Sequence, residues 1–582
     1  MSKQRIILTP ASDDLITFTI LLDGQTINSI YQILSVKVFK EVNKIPTAKI
    51  TILDGDASKE DFEVSNTEDF IPGKEIEILA GYHSEESPIF KGIIIKHGIK
   101  VKDGNPSVLI IDCKDKAITM TVGRQSAYFY ESSDSDVIEE MLGKYDLKKN
   151  IEATDVVHKE LVQYYSTDWD FMLCRTDVNC KLVFVDDGKV SINKPDITQE
   201  PKLSLIYGAT ILEFEAEMDA RDQYSAVCSS SWDSSTQEII ESEGEAPELP
   251  KLGNVNTENL SDVMGIGTLN LHHSGQIKDQ ELQAWADSKL LKSRLAKIRG
   301  RIKFQGFADI KPGNIIELKG LGDRFNGNAF VSAISHEIAE GNWITNAQIG
   351  LSEEWFSSGN DIIETFASGL LPAVSGLQIG IVTRLQDDPD GEDRILVKMP
   401  MIDNRQDGIW ARVAIPDAGN KRAVFFRPEI GDEVVLGFLN NEPRNPIVLG
   451  SLNSSAKPAP IPASDENHEK GIITRSELKL IFNDEKNNIE VSSPNGNKIV
   501  LSEDEGSLII IDENDNKIEM TADGINMESS GDINIKAKGD ITIEGTNIFQ
   551  KAGAQFKAEG GSGAELSTDA VAVVKGSLVQ IN

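Results

Sequence analysis

The chain has 582 residues and a formal net charge of −35, from 93 Asp and Glu against 58 Lys and Arg. This length predicts several domains. The acidic balance argues against binding the nucleic-acid backbone, which requires clustered positive charge. Four cysteines without CxxC spacing predict reduced thiols rather than a disulfide framework or a zinc site: Cys113, Cys174, Cys180 and Cys228.

The N-terminal residues contain no apolar segment of signal-peptide length before Asp13 and Asp14, and no run of eighteen apolar residues occurs in the sequence. We therefore expect synthesis and folding in the cytoplasm. Release from the cell would then depend on a machine that carries the protein.

Residues 1 to about 230 are predicted to be mostly β-strands, because apolar and polar residues alternate at 35–40 and 48–53. Helical spacing of apolar residues predicts a helix over 135–142. A second helix is predicted to open at Asp168, with Asp168 itself as the N-cap.

Residues 234–265 are acidic and contain proline, which predicts a surface excursion rather than a domain. A helix is predicted over about 278–298, and strands resume at 300–304, 315–318 and 330–334. Residues 376–455 then predict a compact all-β unit with five strands, at 379–385, 394–399, 410–413, 433–438 and 447–452. Five strands in so short a segment suit a small Greek-key barrel such as the OB-fold.

A proline-rich joint, Lys457-Pro-Ala-Pro-Ile-Pro462, predicts a stiff connection to a region of short repeats. In the segments that start at Gly531 and Gly539, Ile533, Ile535, Ile541 and Ile543 alternate with polar residues. Strands this short cannot bury an apolar side alone, so they must stack in a repeating array. The array is either an intertwined needle of several chains or one chain wound into a β-helix.

In this order the elements resemble the spike proteins of contractile injection machines, namely VgrG of type VI secretion and the hub-plus-spike proteins of contractile phage tails. The most specific segments lie in the barrel: Gly380-Ile-Val-Thr383, Trp410-Ala-Arg-Val413, Phe426-Arg-Pro-Glu-Ile-Gly-Asp-Glu-Val434 and Pro446-Ile-Val-Leu-Gly-Ser-Leu452. Segments 163–171, 310–313, 325–327 and 336–345 resemble parts of the hub. Residues 42–48 and 54–56 look closer to spikes of extracellular phage-tail-like particles.

The resemblance implies a mainly β fold with four parts. These are a hub of β-barrel subdomains with helices (1–375), an OB-fold barrel (376–455), a proline-rich linker (456–472) and a trimeric, triple-stranded β-helix needle (473–582). It implies a homotrimer that caps the inner tube, contacts baseplate proteins, has a PAAR-type protein at its tip and delivers effector cargo across a target envelope. Contact with the membrane would be transient, and nucleic acid is not an expected partner.

No catalytic, cofactor-binding or metal-binding residue is predicted. The pair His272 and His273 favours a loop or surface role, because adjacent side chains diverge on any regular element. Asp168 and Asp170 are explained by a helix start, and no G-x-S-x-G motif occurs. Some phage spikes hold a metal in a histidine ring near the tip, but His468, the last histidine here, precedes the needle.

The first hypothesis is therefore a non-enzymatic structural spike, in which Trp410, Phe426, Gly431 and the needle isoleucines are interface or core positions. The alternative is a β-helical adhesin or polysaccharide-degrading tailspike, which predicts a carboxylate-lined groove and carbohydrate binding. A third hypothesis, an enzyme within the first 375 residues, requires a pocket of convergent polar groups.

Overall fold

The computed structural model describes residues 15–248, 251–359, 362–403, 405 and 407–581. The contacts divide the chain into two units: residues 1–375 with 440–443 (unit 1), and residues 376–439 with 444–582 (unit 2). The N-terminal segment 1–14 and Leu249-Pro250 of the predicted excursion lie outside the described residues. Within the described ranges, no helix is long and apolar enough to cross a membrane.

Unit 1 begins with seven strands, and in strands such as β3 and β4 buried residues alternate with more exposed ones. The strands are β1 (Ile16–Leu22), β2 (Gln25–Thr26), β3 (Ile33–Glu41), β4 (Thr47–Leu53), β5 (Glu75–Tyr82), β6 (Glu85–Lys102) and β7 (Asn105–Lys114). The strands predicted around 35–40 and 48–53 are thus confirmed as β3 and β4.

A mixed α/β segment follows. Its elements are β8 (Gln125–Ser133), α1 (Asp134–Leu142), β9 (Lys148–Ile151), β10 (Val157–Ser166), α2 (Asp168–Val178), β11 (Leu182–Asp186) and β12 (Lys189–Asn193). The prediction that Asp168 caps α2 is wrong. Thr167 is the N-cap, since its hydroxyl accepts a hydrogen bond from the amide of Asp170 (3.0 Å).

The rest of unit 1 alternates strands with three helices. The elements are β13 (Leu203–Ile206), β14 (Ile211–Met218), β15 (Ala226–Asp233), β16 (Glu238–Glu243), α3 (Thr257–Met264), β17 (Thr268–His273), α4 (Asp279–Leu295), β18 (Ile298–Gln305), β19 (Ile315–Lys319), β20 (Gly327–Ala339), β21 (Asn342–Ile349) and α5 (Phe356–Gly359).

The surface excursion predicted at 234–265 is only partly correct. Part of it continues the fold as β16, which pairs antiparallel with β15 in a three-stranded sheet with β17, and α3 follows. The side of β15 that faces the helix packs against α4, where Val227, Ala286 and Leu290 are buried together. Glu238, Glu241 and Glu243, which contribute to the acidic composition of this segment, are exposed residues of β16.

One thirteen-stranded sheet organises unit 1. Its main path runs β14-β18-β21-β20-β3-β4-β7-β6-β5-β1-β2, with β19 and β13 attached through β20. One face is apolar and covers two large buried clusters. The other face is polar and carries cross-strand ion pairs such as Lys37–Glu337 (2.7 Å) and Lys303–Glu213 (2.6 Å). Unit 1 is therefore a broad, largely antiparallel sheet with one face in the core.

Unit 2 starts with the predicted barrel, which is closed in the order β22-β23-β24-β28-β27. The barrel strands are β22 (Gln378–Arg384), β23 (Ile395–Lys398), β24 (Ile409–Val413), β27 (Glu433–Phe438) and β28 (Pro446–Ser451). Between β24 and β27, β25 (Ala418–Gly419) and β26 (Arg422–Ala423) form a separate two-stranded sheet. Buried Val382, Val397, Val434 and Leu436 form the centre of the barrel. The prediction of a five-stranded barrel is confirmed.

After the barrel, seven short strands form one antiparallel sheet in simple chain order. They are β29 (Glu469–Ile473), β30 (Lys479–Asn483), β31 (Asn488–Ser492), β32 (Lys498–Ser502), β33 (Ser507–Ile511), β34 (Lys517–Thr521) and β35 (Gly524–Glu528). A β-helix wound from one chain would pair successive coils in parallel, so this stretch does not follow the single-chain alternative.

Candidate functional site

The sheet β29–β35 is shaped by tight reversals. Positive φ angles occur between its strands at Asn487 (42°), Gly496 (99°) and Asp515 (64°), and at Gly524 (134°), the first residue of β35. Asn, Asp and Gly adopt this conformation most readily, which explains why the chain turns at these points. Each strand pairs with the next without a register shift. Directly opposite residues therefore share one face of the sheet.

This register collects the large apolar side chains on one side, called here the apolar face. It consists of two rows: Ile472, Leu480, Val491, Ile499, Ile510, Ile518 and Met527; and Lys470, Phe482, Ile489, Leu501, Leu508, Met520 and Ile525. Lys470 is the single polar side chain in the two rows.

The apolar face is open to solvent in the single chain. Phe482 is 42% exposed, Ile499 39%, Leu501 47% and Ile525 70%. Soluble proteins rarely leave a continuous apolar patch of this extent uncovered unless it binds another molecule or another chain. This face is therefore the strongest candidate for an interaction surface in unit 2.

The opposite face of the same sheet, called here the charged face, is mixed. Its middle row contains Ile481, Val500 and Ile509 as well as Glu490 and Glu519, and the residues at its margins are mainly polar. Glu490 accepts a hydrogen bond from Lys498 (2.8 Å), and Glu519 pairs with Lys517 (2.9 Å). Burial alone would raise the pKa of Glu490, but the Lys498 hydrogen bond and positive charge outweigh burial and lower it. The charged face therefore carries the ion pairs of Glu490 and Glu519, whereas the apolar face is apolar along both of its rows.

Residues 529–581, called here the tail, contain no strand within the described chain. The strands expected after Gly531 and Gly539 are therefore not formed by the chain with itself. Ile533 is 55% exposed and Ile541 53%, and the tail is exposed almost throughout. The alternation of apolar and polar side chains in the tail suits a β-strand. The described part of the same chain, however, provides no strand with which the tail pairs.

Hydrogen bonds join the loop before β27 to the linker and to the turn between β29 and β30. Arg475 pairs with Glu429 (2.8 Å), and Lys457 donates to the Gly431 carbonyl (2.7 Å). Gly431 has φ of +88° and donates its own amide to Val382 in the barrel (2.7 Å). Phe426, in contrast, is 61% exposed. The barrel loop and the linker are thus connected by specific polar contacts.

The histidine pair of unit 1 lies on β17 and is exposed, where a loop or surface role was predicted. The ring of His272 is hydrogen bonded to the Ser230 hydroxyl (2.6 Å), and His273 contacts the Gly275 carbonyl (3.0 Å). Among the described residues, no group of three or more His, Cys, Asp or Glu side chains is arranged to hold a metal ion.

The two carboxylates beside Trp169 have structural partners. Asp168 is fully buried and accepts hydrogen bonds from the Tyr145 hydroxyl (2.9 Å) and the Gln163 amide (2.8 Å). Burial and this hydrogen bond raise the pKa of Tyr145 to about 12. Asp170 accepts from the Thr167 hydroxyl at the start of α2 (2.6 Å). The two carboxylates are held by the fold in different environments and do not form a paired acid and base.

The four cysteines are free. Burial raises the pKa of Cys113 and of Cys180 to about 12, so both remain thiols at neutral pH. A protonated, buried thiol is a poor nucleophile. Their arrangement therefore suits core packing.

The needle predicted over 473–582 contains six of the seven strands of this sheet, and β29 (Glu469–Ile473) begins before it. Leu480 and Phe482 on β30 have the same two-residue spacing as Ile489 and Val491 on β31. The apolar face also extends to Ile472, within the segment predicted as linker.

Comparisons with known proteins match this architecture. Residues 378–452, which contain the closed barrel, match the type VI secretion system and phage-baseplate injector OB domain. Residues 12–340 match the Alg8 N-terminal domain. The chain is thus a mainly β, VgrG-like protein with an injector OB domain. Since the second match covers more than half of its length, it belongs to the Alg8 N-terminal domain family.

Individual relatives are more distant. A segment of 113 residues is 30% identical to the type VI secretion system spike protein VgrG3 of Vibrio cholerae serotype O1, and covers 18% of this chain and 11% of that protein. The chain thus spans a small part of this curated relative.

Solved structures give partial likenesses. A tail protein from Neisseria meningitidis MC58 has a TM-score of 0.43 at 11% identity, over 59% of this chain and 98% of that one. The E. coli c3393 protein, a type VI secretion component, has a TM-score of 0.35 at 11% identity, over 74% of this chain and 99% of that one. A chain of the Francisella PdpA–VgrG complex has a TM-score of 0.38 at 11% identity, over 89% of this chain and 80% of that one.

Proposed function

We propose that this protein is the trimeric central spike and baseplate hub of a contractile injection system, and that its role is mechanical rather than enzymatic. The observation that supports this most directly is the apolar face of β29–β35. It is continuous over seven strands, and the only polar side chain in it lies at one edge, at Lys470. A surface of this composition needs a matching apolar surface, and two more copies of the same sheet supply one.

Association of these faces has a sizeable driving force. Full burial of a Leu, Ile, Val, Met or Phe side chain contributes about 1.5–3 kcal/mol. The side chains of the apolar face are roughly half exposed, so covering the face contributes on the order of 10 kcal/mol per chain. A gain of this size, repeated in each copy, makes dissociation slow. Slow dissociation is what a part that transmits force requires.

A trimer accounts for both parts of the C-terminal region, the sheet β29–β35 and the tail. In a trimer the three apolar faces turn towards a common axis, and the charged faces with Glu490 and Glu519 remain in water. The tail then pairs with the tails of the other two chains, which gives its backbone groups partners. Two copies packed face to face would also cover the apolar faces. In such a dimer, however, each tail has only one other tail with which to pair.

In this proposal residues 1–375 form the hub, 376–455 the OB barrel, 456–472 the linker and 473–582 the needle. The hub caps the inner tube and binds baseplate proteins, and the needle carries a PAAR-type tip protein. The needle breaches a target envelope so that effector cargo follows. The protein is assembled in the cytoplasm and is released or fired as part of a particle. The injector OB domain and the VgrG3 relative support this assignment.

The test is the solution mass of the full-length protein, measured by light scattering after gel filtration. A trimer gives three times the chain mass of 63.8 kDa. A mass twice that of the chain would indicate a dimer of two sheets packed face to face instead of a trimeric needle. A monomer would overturn the proposal and favour the adhesin or tailspike hypothesis, which carbohydrate-binding assays would then test.

A matched pair of variants tests which face carries the association. Met520 and Ile525 are directly opposite on the apolar face, whereas Glu519 and Asn526 are directly opposite on the charged face of the same two strands. Met520→Asp with Ile525→Asp should dissociate the trimer, and Glu519→Asp with Asn526→Asp should leave it intact. Equal behaviour of the two double variants would contradict the proposed orientation.

A further inference from the structure

The apolar face contains two methionines, and both lie at the end of the sheet nearest the tail. The other apolar positions of its two rows are Ile, Leu, Val and Phe, whereas Met520 is on β34 and Met527 is on β35, the last two strands of the sheet. Met520 lies opposite Ile525, and Met527 lies opposite Ile518. On one face of a paired sheet, Met520 and Met527 are therefore diagonal neighbours, within reach of each other's long side chains. The two thioethers form one patch where the sheet passes into the tail.

Both methionine side chains are open to solvent in the single chain. Met520 is 39% exposed and Met527 is 55% exposed. Among the described strands β35 pairs with β34 alone, so the row that ends at Met527 has no further neighbour within the chain. Methionine is a common site of oxidation. An unassembled chain therefore presents both thioethers to oxidants in water.

Oxidation changes the chemical character of this patch. A thioether is apolar, whereas the sulfoxide that replaces it is polar. The side chains directly beside the two methionines in the rows are Leu508, Ile518 and Ile525, and none of them has a hydrogen-bond donor. Burial of a polar group without a hydrogen-bond partner is unfavourable. Covering the patch with two more copies of the sheet is therefore less favourable once the sulfurs carry oxygen.

We propose that Met520 and Met527 are modification sites at which oxidation by a peroxide blocks assembly of the trimer, and that the assembled trimer shields both sulfurs. The inference rests on the proposed function, since the association of three apolar faces is what covers the patch. Oxidation then distinguishes the two states of the chain. The single chain is sensitive to peroxide at these two positions, and the trimer is not.

The reaction requires only the methionine and hydrogen peroxide or an organic peroxide. A lone pair of the sulfur attacks one peroxide oxygen, so that an S–O bond forms while the O–O bond breaks. The sulfur loses two electrons, and the departing oxygen takes up the proton of the transferred oxygen and leaves as water or an alcohol. No cofactor and no second side chain takes part. The access of peroxide to each sulfur therefore decides how fast it is oxidised.

Treatment of the full-length protein with hydrogen peroxide, followed by peptide mass spectrometry, tests the shielding. Met264 at the end of α3 is the matched control, because it is 48% exposed in the single chain. We expect Met520 and Met527 to be oxidised about tenfold more slowly than Met264 in the trimer. Equal rates in a protein that light scattering shows to be a trimer would overturn the inference and leave the proposed function standing. A monomeric unaltered protein would overturn both.

A matched pair of variants tests the effect on assembly without an oxidant. Met520→Gln with Met527→Gln puts a polar, hydrogen-bonding group of similar length at each sulfur position. Glu519→Gln with Asn526→Gln introduces the same side chain on the charged face of the same two strands. We expect the first variant to lose the trimer mass and the second to keep it, with unit 1 folded in both by circular dichroism. A first variant that stays trimeric, or equal loss of the trimer in both, would contradict the proposal.

Discussion

Replacement of Ile533 and Ile541 by aspartate tests the proposed association of the tail. In the single chain these side chains are 55% and 53% exposed. Burial of the exposed part contributes about 0.8–1.7 kcal/mol for each, or about 5–10 kcal/mol for both residues in three chains. The substitutions remove this gain and bring six carboxylates into an apolar interior, each at a cost of several kcal/mol. We expect the trimer to be lost while unit 1 stays folded.

The assay combines light scattering after gel filtration with thermal unfolding followed by circular dichroism. The matched control is Asn534→Asp with Thr542→Asp, which adds the same charges one position further along each repeat, where the side chains point to the other side. The reasoning is refuted if the Ile533→Asp, Ile541→Asp protein stays trimeric and equally heat-stable. It is also refuted if the control dissociates as readily.

Three further predictions concern single positions. Burial lowers the pKa of His336 to about 3. Between about pH 6.5 and pH 3, the unfolded chain therefore binds a proton at this histidine that the folded protein does not bind. The free energy of unfolding decreases by about 1.4 kcal/mol per pH unit as the pH falls through this range. His336→Gln should reduce this dependence on pH, measured by urea unfolding. Thr167→Ala removes the acceptor of the Asp170 amide and should cost about 1 kcal/mol, measured by the same unfolding. A Cβ at Gly380 would lie 2.4 Å from Val397, so Gly380→Ala should destabilise the barrel by about 1–3 kcal/mol, seen as faster amide exchange in its strands.

The parts of the fold that the sequence predicted well depend on local pattern. The barrel strands alternate within short segments bounded by Pro, Gly and Asp, and the strand predicted at 433–438 has the bounds observed for β27. The helix predicted over 135–142 begins one residue earlier in the structure, because Ser133 and Asp136 form a capping box. For α2 the N-cap was predicted at Asp168, one residue after the observed N-cap Thr167, because threonine and aspartate both cap helices well.

The parts that could not be predicted depend on pairing between distant segments. The thirteen-stranded sheet is completed by β3 and β20, where Val38 lies opposite His336. No local pattern specifies that two strands this far apart are neighbours. For the apolar face, the alternation of apolar and polar residues was visible in the sequence. Which residues of neighbouring strands share that face follows only from the register of their pairing.

The distribution of register shifts supports the needle assignment of β29–β35. Bulges interrupt the large sheet of unit 1 at β5–β6, β6–β7 and β20–β21, and the barrel at β22–β23 and β27–β28. Bulges increase twist and bend strands, which a closing barrel requires. Between β29 and β35 six successive pairings run without one. A slip of one residue in any of them would move the apolar row of that strand to the charged face. Uniform pairing keeps both rows continuous, which is the arrangement that a straight rod of three identical chains requires.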